Sequence, residues 1–316
     1  MALKSSRVPE NAQARIRAVD AEREIAITSD MDRMVELLPR IEIAAGDFPP
    51  GLISRAPQLR WDQVWYAGTD WLQKHPEVQA LPFTLTNASG IHGGQMAEHL
   101  FALLLSWCRK LPEAFAAQPR HEWLTWTHHD MFTLGGKTML IVGYGAIGER
   151  FAQAAEGFGM RVVGVRKHPD RPAGTTGRRV EGIDKLPELL GLADVVVNVL
   201  PYTMETVKLF GAKEFNLMKR SAVFANMGRG ITVDETALIE ALAAKRIAGA
   251  VSDVAAAEPL PHDSPLWDAD NFLLTSHYSG FHPKYDDMAF DVFIDNLGRY
   301  VRGEPLRNIV DKAAGY

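Results

Sequence analysis

The sequence predicts an α/β protein of two domains, each built on a doubly wound parallel sheet. Three observations lead there. From Lys137 onward, strand-like apolar runs alternate with helical patterns: Met139, Val162, Val195 and Ala222 each open a run, and 247–254 and 272–275 supply two more. Alternation of this kind makes a parallel sheet with helices on its faces. Second, Ile141-Val142-Gly143-Tyr144-Gly145-Ala146-Ile147-Gly148 sets three glycines at G-x-G-x-x-G spacing between an apolar strand and a helix with apolar positions at Ile147, Phe151 and Ala155. Third, 316 residues are about twice a typical domain.

The elements follow in order. In residues 9–38, Ile25-Ala26-Ile27 is strand-like and 31–38 helical. Strands are expected at 41–45 and 61–66, with a turn at Pro49-Pro50-Gly51 between them, and at 83–86. This is a small α/β unit without a glycine run of its own, and it lacks an obvious first strand at the extreme N-terminus. Residues 96–109 are apolar on most faces, which predicts a helix buried between domains or subunits. Residues 117–134, with Trp123, Trp126, His128 and His129, form a polar and aromatic connection into the glycine strand. The last helix, 284–302, is expected to cross back to the first unit. Two Rossmann-like domains with a cleft between them result, a cofactor domain over 91–281 and a substrate domain from 1–90 plus 282–316.

The glycine run carries chemistry. Its first glycine permits a tight turn, the second lets backbone approach a pyrophosphate, and the third lets helix pack on strand. Phosphates then meet free N–H groups at the positive end of the helix. Gly143, Tyr144, Gly145, Ala146, Ile147 and Gly148 are therefore candidate cofactor contacts. In NAD-binding units a carboxylate about 20 residues on takes the ribose hydroxyl. Here the second strand ends in Arg166-Lys167-His168 instead. Two cations suit a 2′-phosphate, so NADP is expected over NAD, with NAD still possible.

Composition narrows the partners. A net charge of −5 argues against nucleic acid or an anionic membrane surface. The N-terminal stretch is polar, and the longest apolar run, 100–107, is too short to span a bilayer, so a cytoplasmic protein is expected. The single cysteine, Cys108, forms no internal disulfide and reads as a buried structural thiol. His128-His129 without carboxylate or cysteine spacing are poor metal ligands, and no metal is expected.

Three ionisable residues stand at or beyond strand ends of the second half, where open α/β sheets bind ligands. Arg229 follows 222–228, Glu258 lies five residues after Asp253, and His277 follows 272–276. Each alone also fits a structural contact. Together they suit carbonyl reduction. Histidine can give a proton to the carbonyl oxygen near neutral pH. A carboxylate beside it favours the imidazolium and orients the ring. Arginine can hold a substrate carboxylate and polarise the carbonyl.

The chain resembles the D-isomer-specific 2-hydroxyacid dehydrogenases, which include glyoxylate and hydroxypyruvate reductases. The resembling segments are 143–148, Leu200-Pro201-Tyr202-Thr203-Met204-Glu205-Thr206, Asn226-Met227-Gly228-Arg229-Gly230 with Val233-Asp234-Glu235, 253–261 with Ser264-Pro265-Leu266-Trp267, and Leu274-Thr275-Ser276-His277. Ala67-Gly68-Thr69-Asp70 and Thr86-Asn87-Ala88-Ser89-Gly90 extend the likeness into the first half. The resemblance implies that Arg229 binds and polarises substrate, Glu258 supports the histidine, and His277 is the general acid/base. It implies that Asp253 holds the nicotinamide carboxamide, that Leu200, Pro201, Thr206 and Met227 line the cofactor, and that Gly68 and Gly90 offer backbone to the substrate carboxylate. Arg166-Lys167 resembles the NADP-preferring branch, and a small 2-keto acid or 2-hydroxy acid is the implied substrate. A homodimer is expected, with helix 96–109 as candidate seam; the resemblance places Trp123 and Trp126 in a region that often reaches toward a partner subunit, and plain surface or dimer packing is the reading taken for both. Three departures stand out: Gly228 for alanine, Ser276 for proline, and Ala255 where an aromatic is common. Formate dehydrogenases pair their histidine with an amide, and Glu258 argues against that branch. The alternative is a dinucleotide-sensing regulator that keeps the fold without turnover.

Overall fold

The structure, a computed structural model, describes residues 1–4, 7–170 and 178–316. In chain order the first elements are β1 (Ala2–Lys4), α1 (Ala12–Val19), β2 (Ala26–Thr28), α2 (Met31–Leu37), β3 (Ile43–Ala45), α3 (Pro50–Ile53), β4 (Trp61–Gln63), α4 (Pro76–Gln79) and β5 (Thr84–Thr86). Then come α5 (Gly93–Cys108), α6 (Leu111–Ala117), β6 (Thr138–Val142), α7 (Ala146–Gly157), β7 (Arg161–Arg166), β8 (Val180–Gly182), α8 (Leu186–Leu190) and β9 (Val195–Asn198). The chain closes with α9 (Ala212–Leu217), β10 (Val223–Asn226), α10 (Glu235–Ala243), β11 (Gly249–Ser252), β12 (Phe272–Leu274) and α11 (Tyr285–Arg302). These form two compact units, Met1–Ile91 with His282–Tyr316, and His92–Phe281.

The N-terminal unit holds a parallel sheet ordered β2-β1-β3-β4-β5. This is the 2-1-3-4-5 order of flavodoxin-like sheets, whose switch point lies between the first and third strands. A first strand therefore exists at the extreme N-terminus, correcting the sequence expectation. At three residues it is too short to show a period, yet its place between β2 and β3 makes it central. Side chains alternate between faces. Leu3, Ile43, Ala45 and Trp61 join Ala12 and Ile16 of α1 and Phe290, Phe293 and Leu297 of α11. Ala2, Ala44 and Leu85 join Met34 and Leu37 of α2 on the other face. The Trp61 ring stacks on Phe293 at 5.4 Å and on Tyr300 at 5.5 Å. The Pro49-Pro50-Gly51 turn is the start of the single-turn helix α3.

Among the described residues the second unit holds seven parallel strands, ordered β12-β11-β10-β9-β6-β7-β8. From the β8 end this reads 3-2-1-4-5-6 with a seventh strand added, so the switch point falls between β6 and β9. Strand β8, which the sequence reading did not anticipate, completes the far edge. The central strands are apolar on both faces because helices cover both. Met139, Ile141, Val195, Val197, Val223 and Ala225 pack on the α5–α7 side. Leu140, Val142, Val196 and Phe224 pack with α8, α9 and α10. Helix α5, expected between domains or subunits, buries Met96, Ala97, Leu100, Phe101, Leu103, Leu104 and Cys108 in this unit's own core.

Candidate functional site

Because every strand of the second unit is parallel, all carboxyl ends lie along one edge of the sheet. Backbone bonds carry that alignment into the loops: Val199 N–H donates to Val142 O, Met227 to Asn198 O, Asp253 to Asn226 O, Thr275 to Ser252 O and His277 to Asp253 O.

At the β6 end the three glycines match the demands of a dinucleotide turn. Gly143 has φ +98°, and a Cβ there would lie 2.7 Å from the Val199 carbonyl. A Cβ on Gly145 would meet nothing nearer than Gly143 O at 3.9 Å, leaving open approach to the backbone. A Cβ on Gly148 would press on Ile141 Cγ2 at 3.1 Å, as close helix–strand packing requires. Gly145 caps α7, and the helix's first bond runs from Glu149 N–H to Gly145 O. The N–H groups of Ala146, Ile147 and Gly148 thus precede the helical ladder and suit phosphate. These residues fit a nicotinamide dinucleotide. The Tyr144 side chain faces the core instead, against Gly164, with its hydroxyl donating to Glu149 Oε2 at 2.6 Å. Beyond β7, Arg166 Nη2 donates to Pro169 O at 2.9 Å, and Lys167 Nζ pairs with Glu205 Oε2 at 2.6 Å.

The β9 and β10 exits interlock. A Cβ on Gly228 would sit 2.6 Å from Leu200 O and 2.8 Å from Leu200 N, so alanine does not fit here without moving that loop. Two asparagines that the sequence reading passed over hold these turns. Buried Asn198 donates to Asn226 Oδ1 at 3.0 Å and Thr232 Oγ1 at 2.6 Å, and accepts from Leu200 N–H at 3.2 Å. Asn226 accepts from Gly228 N–H at 3.2 Å, and the Thr232 hydroxyl donates to Arg229 O at 2.6 Å. Met227 is buried, and the Thr206 hydroxyl bonds to Pro201 O at 2.8 Å within its own loop.

Arg229 Nη1 donates to Gly228 O at 2.9 Å. Beside Arg229 stands His92, another residue without a role in the sequence reading. Burial, then the Arg229 charge, pushes its imidazole down to about 4, so it is neutral at physiological pH. A Cβ on Gly230 would collide with the Ala255 backbone, so the arginine turn lies directly on the loop leading to Glu258. Glu258 Oε1 accepts from Ala255 N–H at 3.0 Å, while Oε2 stands 2.6 Å from His277 Nδ1. The structure thus brings Glu258 and His277 into contact, with Arg229 on the same sheet edge. An Nδ1 proton directed at the carboxylate assigns the Nε2 face to other work. Asp253 is buried, and its carboxylate accepts from the Thr275 hydroxyl (2.6 Å), Tyr278 N–H (3.3 Å) and Ser279 N–H (2.9 Å).

The family model for the NAD binding domain of D-isomer specific 2-hydroxyacid dehydrogenases matches residues 101–279. The chain belongs to this family. A glyoxylate/hydroxypyruvate reductase B from Enterobacter sp. (strain 638) is 39% identical over 276 residues, covering 82% of this chain and 80% of its own. A glyoxylate reductase from Korarchaeum cryptofilum is 33% identical over 291 residues, 90% of this chain and 83% of its own. Among solved structures, an NADPH-dependent glyoxylate/hydroxypyruvate reductase from Sinorhizobium meliloti, in complex with NADP and sulfate, superimposes with TM-score 0.82 at 27% identity. It covers 100% of this chain and 99% of that one. As a member of this family of D-2-hydroxyacid dehydrogenases the protein is an oxidoreductase that uses a nicotinamide cofactor.

In the N-terminal unit, Gly68 and Gly90 follow the carboxyl ends of β4 and β5. Gly90 has φ +102°, with open space where a Cβ would stand. Their loops are tied together, since Asn87 Nδ2 donates to Ala67 O at 2.8 Å and Asn308 Nδ2 donates to Ser89 O at 2.8 Å. No group of three or more His, Cys, Asp or Glu side chains among the described residues is placed to hold a metal ion. Nor is any helix among them long and apolar enough to cross a membrane.

Proposed function

We propose that this chain reduces a small 2-keto acid of the glyoxylate or hydroxypyruvate type to the D-2-hydroxy acid, reversibly in principle, with NADP(H) preferred over NAD(H). The observation that carries the reading is the 2.6 Å pairing of Glu258 with His277 on the sheet edge that also bears Arg229 and the glycine turn. The dinucleotide, when bound, exchanges a hydride with the substrate carbon. His277 gives the carbonyl oxygen its proton from Nε2 in reduction and takes it back in oxidation. Glu258 stabilises the imidazolium and fixes the ring through Nδ1. Arg229 grips the substrate carboxylate and polarises the carbonyl. Gly68 and Gly90, in a unit assigned to substrate binding, offer backbone N–H groups to a carboxylate. The residues at 143–148, with Leu200, Pro201, Thr206, Met227 and Asp253, frame the cofactor, and Arg166 with Lys167 take a 2′-phosphate. Arg166 and Lys167 support NADP, because β7 ends in cations where an NAD site has a carboxylate.

A homodimer in the cytoplasm completes the reading. Phe115 (65% exposed) and Trp123 (96% exposed) are surface a partner copy would cover, and sedimentation at micromolar concentration tests the assembly.

The deciding experiment measures oxidation of NADPH and of NADH with glyoxylate, hydroxypyruvate, pyruvate and phenylpyruvate. NADPH with one of the two small acids is expected to give the highest kcat/KM, and Arg166→Asp to weaken NADPH selectively. His277→Ala is expected to lower turnover about 10²–10⁴-fold while barely changing NADPH affinity. An unchanged cofactor preference in Arg166→Asp overturns the NADP assignment; wild-type turnover in His277→Ala overturns the acid/base assignment.

A further inference from the structure

His277 is a non-glycine residue at φ +55°, in the left-handed region, three residues past the end of β12, an edge strand paired among the described residues with β11 alone. Such a backbone costs roughly 1–2 kcal/mol and persists only where neighbours hold it. Asp253 supplies much of that hold from inside: its backbone oxygen accepts from His277 N–H at 2.7 Å, and its carboxylate from Tyr278 and Ser279 N–H.

A second grip comes from helix α5. Gln95 Nε2 donates to Gly280 O at 3.1 Å. One turn on, His99 Nε2 lies 2.8 Å from Thr275 Oγ1 and 3.5 Å from Asp253 Oδ1. Thr275 gives its only hydroxyl proton to Asp253 at 2.6 Å, so its oxygen must accept from His99, which fixes the Nε2–H tautomer. The His99 ring also meets Tyr278 edge-on at 5.0 Å. Residues one turn apart share a helix face, so this face clamps both ends of the segment 275–280. The helix itself is immobilised by Met96, Leu100 and Leu104 in the core.

We propose that His99 is a positioning residue, which through Thr275 and Asp253 holds the loop in the conformation that presents His277 to substrate. The inference rests on the reading of His277 as proton donor.

Its test uses the full-length protein. His99→Ala and Thr275→Val are each expected to lower kcat about 10–100-fold through misplacement of the imidazole. NADPH affinity should fall by much less than kcat, because the glycine turn, Leu200, Pro201, Thr206 and Met227 are untouched and Asp253 keeps its bonds from Tyr278 and Ser279 N–H. The double variant should be no worse than either single one. Thr275→Ser and His99→Gln, which keep a hydroxyl and an N–H donor, should restore most of the rate. Independently of turnover, the His277 ring resonance of isotope-labelled protein should be sharp in the wild type and exchange-broadened in His99→Ala. A wild-type kcat with an unbroadened resonance in His99→Ala overturns the proposal, as does an equal loss of kcat and NADPH affinity. Full turnover in His277→Ala would sink the underlying assignment instead, while the resonance would still report whether His99 orders the loop.

Discussion

Asp62 offers the sharpest test of the energetics of the N-terminal unit. It sits mid-way along β4 between Ala44 and Leu85, on the apolar face opposite Trp61, and is 0% exposed. Among the described residues neither carboxylate oxygen has a hydrogen-bond partner. The Gln63 backbone N–H favours the anion slightly, but its geometry falls short of a hydrogen bond, and burial dominates. The carboxyl is pushed up from 3.8 to about 8 and is neutral at physiological pH. The unfolded chain ionises freely, so each pH unit between those values costs the fold about 1.4 kcal/mol. The sign follows from a folded-state value raised above the unfolded one: stability is fully present below about pH 4 and falls as pH rises, until the loss is complete above about pH 8. At pH 7 the accumulated cost is about 4 kcal/mol, an upper figure because the unfolded chain is not fully solvated. Asp62→Asn keeps the shape and cannot ionise. Urea unfolding followed by tryptophan fluorescence and far-UV circular dichroism at pH 5, 6, 7 and 8 should show the variant gaining on wild type by about 1.4 kcal/mol per unit. A difference that stays flat across this range would refute a buried, neutral Asp62.

Two further predictions concern the second unit. Gly228→Ala forces a Cβ to within 2.6 Å of Leu200 O, so the loop from Val199 must shift. Dinucleotide affinity, measured by fluorescence quenching, should fall by about tenfold or more, and an unchanged affinity would show that the loop yields without consequence. Cys108 is buried with its thiol pushed up to about 12, chiefly by desolvation. A chromogenic disulfide reagent at pH 8 should therefore label native protein only at the rate of unfolding and denatured protein at once; prompt stoichiometric labelling of native protein would contradict that burial.

The sequence was most readable where the demand on a residue is local. The glycines at 143, 145 and 148 each answer to their immediate neighbours, and their spacing survives in any context. The position of Arg229 and His277 just beyond strand ends was likewise readable, because the apolar runs before them mark the strands. What escaped depends on distant partners. Strand β1 has three residues and is defined by β2 and β3 rather than by any pattern of its own. Asn198 and Asn226 look like strand-end polar residues until their bonds to each other and to Thr232 are seen. One signal was available for the clamp: Gln95 and His99 are polar residues at i and i+4 near the start of a largely apolar helix. That spacing marks one face, and a polar line on a buried helix needs partners.

The two halves of the proposed site are held by different means, and this bears on how the chemistry can be tuned. Arg229 emerges from the sheet interior, where β10 has neighbours on both sides and two buried asparagines lock the turn. Its place can hardly change without disturbing the core, which suits an anchor for a fixed carboxylate. His277 leaves the sheet at its edge, in a left-handed backbone kept by Asp253 and the α5 face. Here one side-chain bond is worth about 1 kcal/mol, comparable with the backbone strain it opposes. Small changes at His99 or Thr275 are therefore expected to move the proposed proton donor while leaving the proposed anchor and the glycine turn in place. Variation in rate among relatives with a common substrate anchor is then expected to concentrate in the contacts between this loop and the helix, not in the arginine turn.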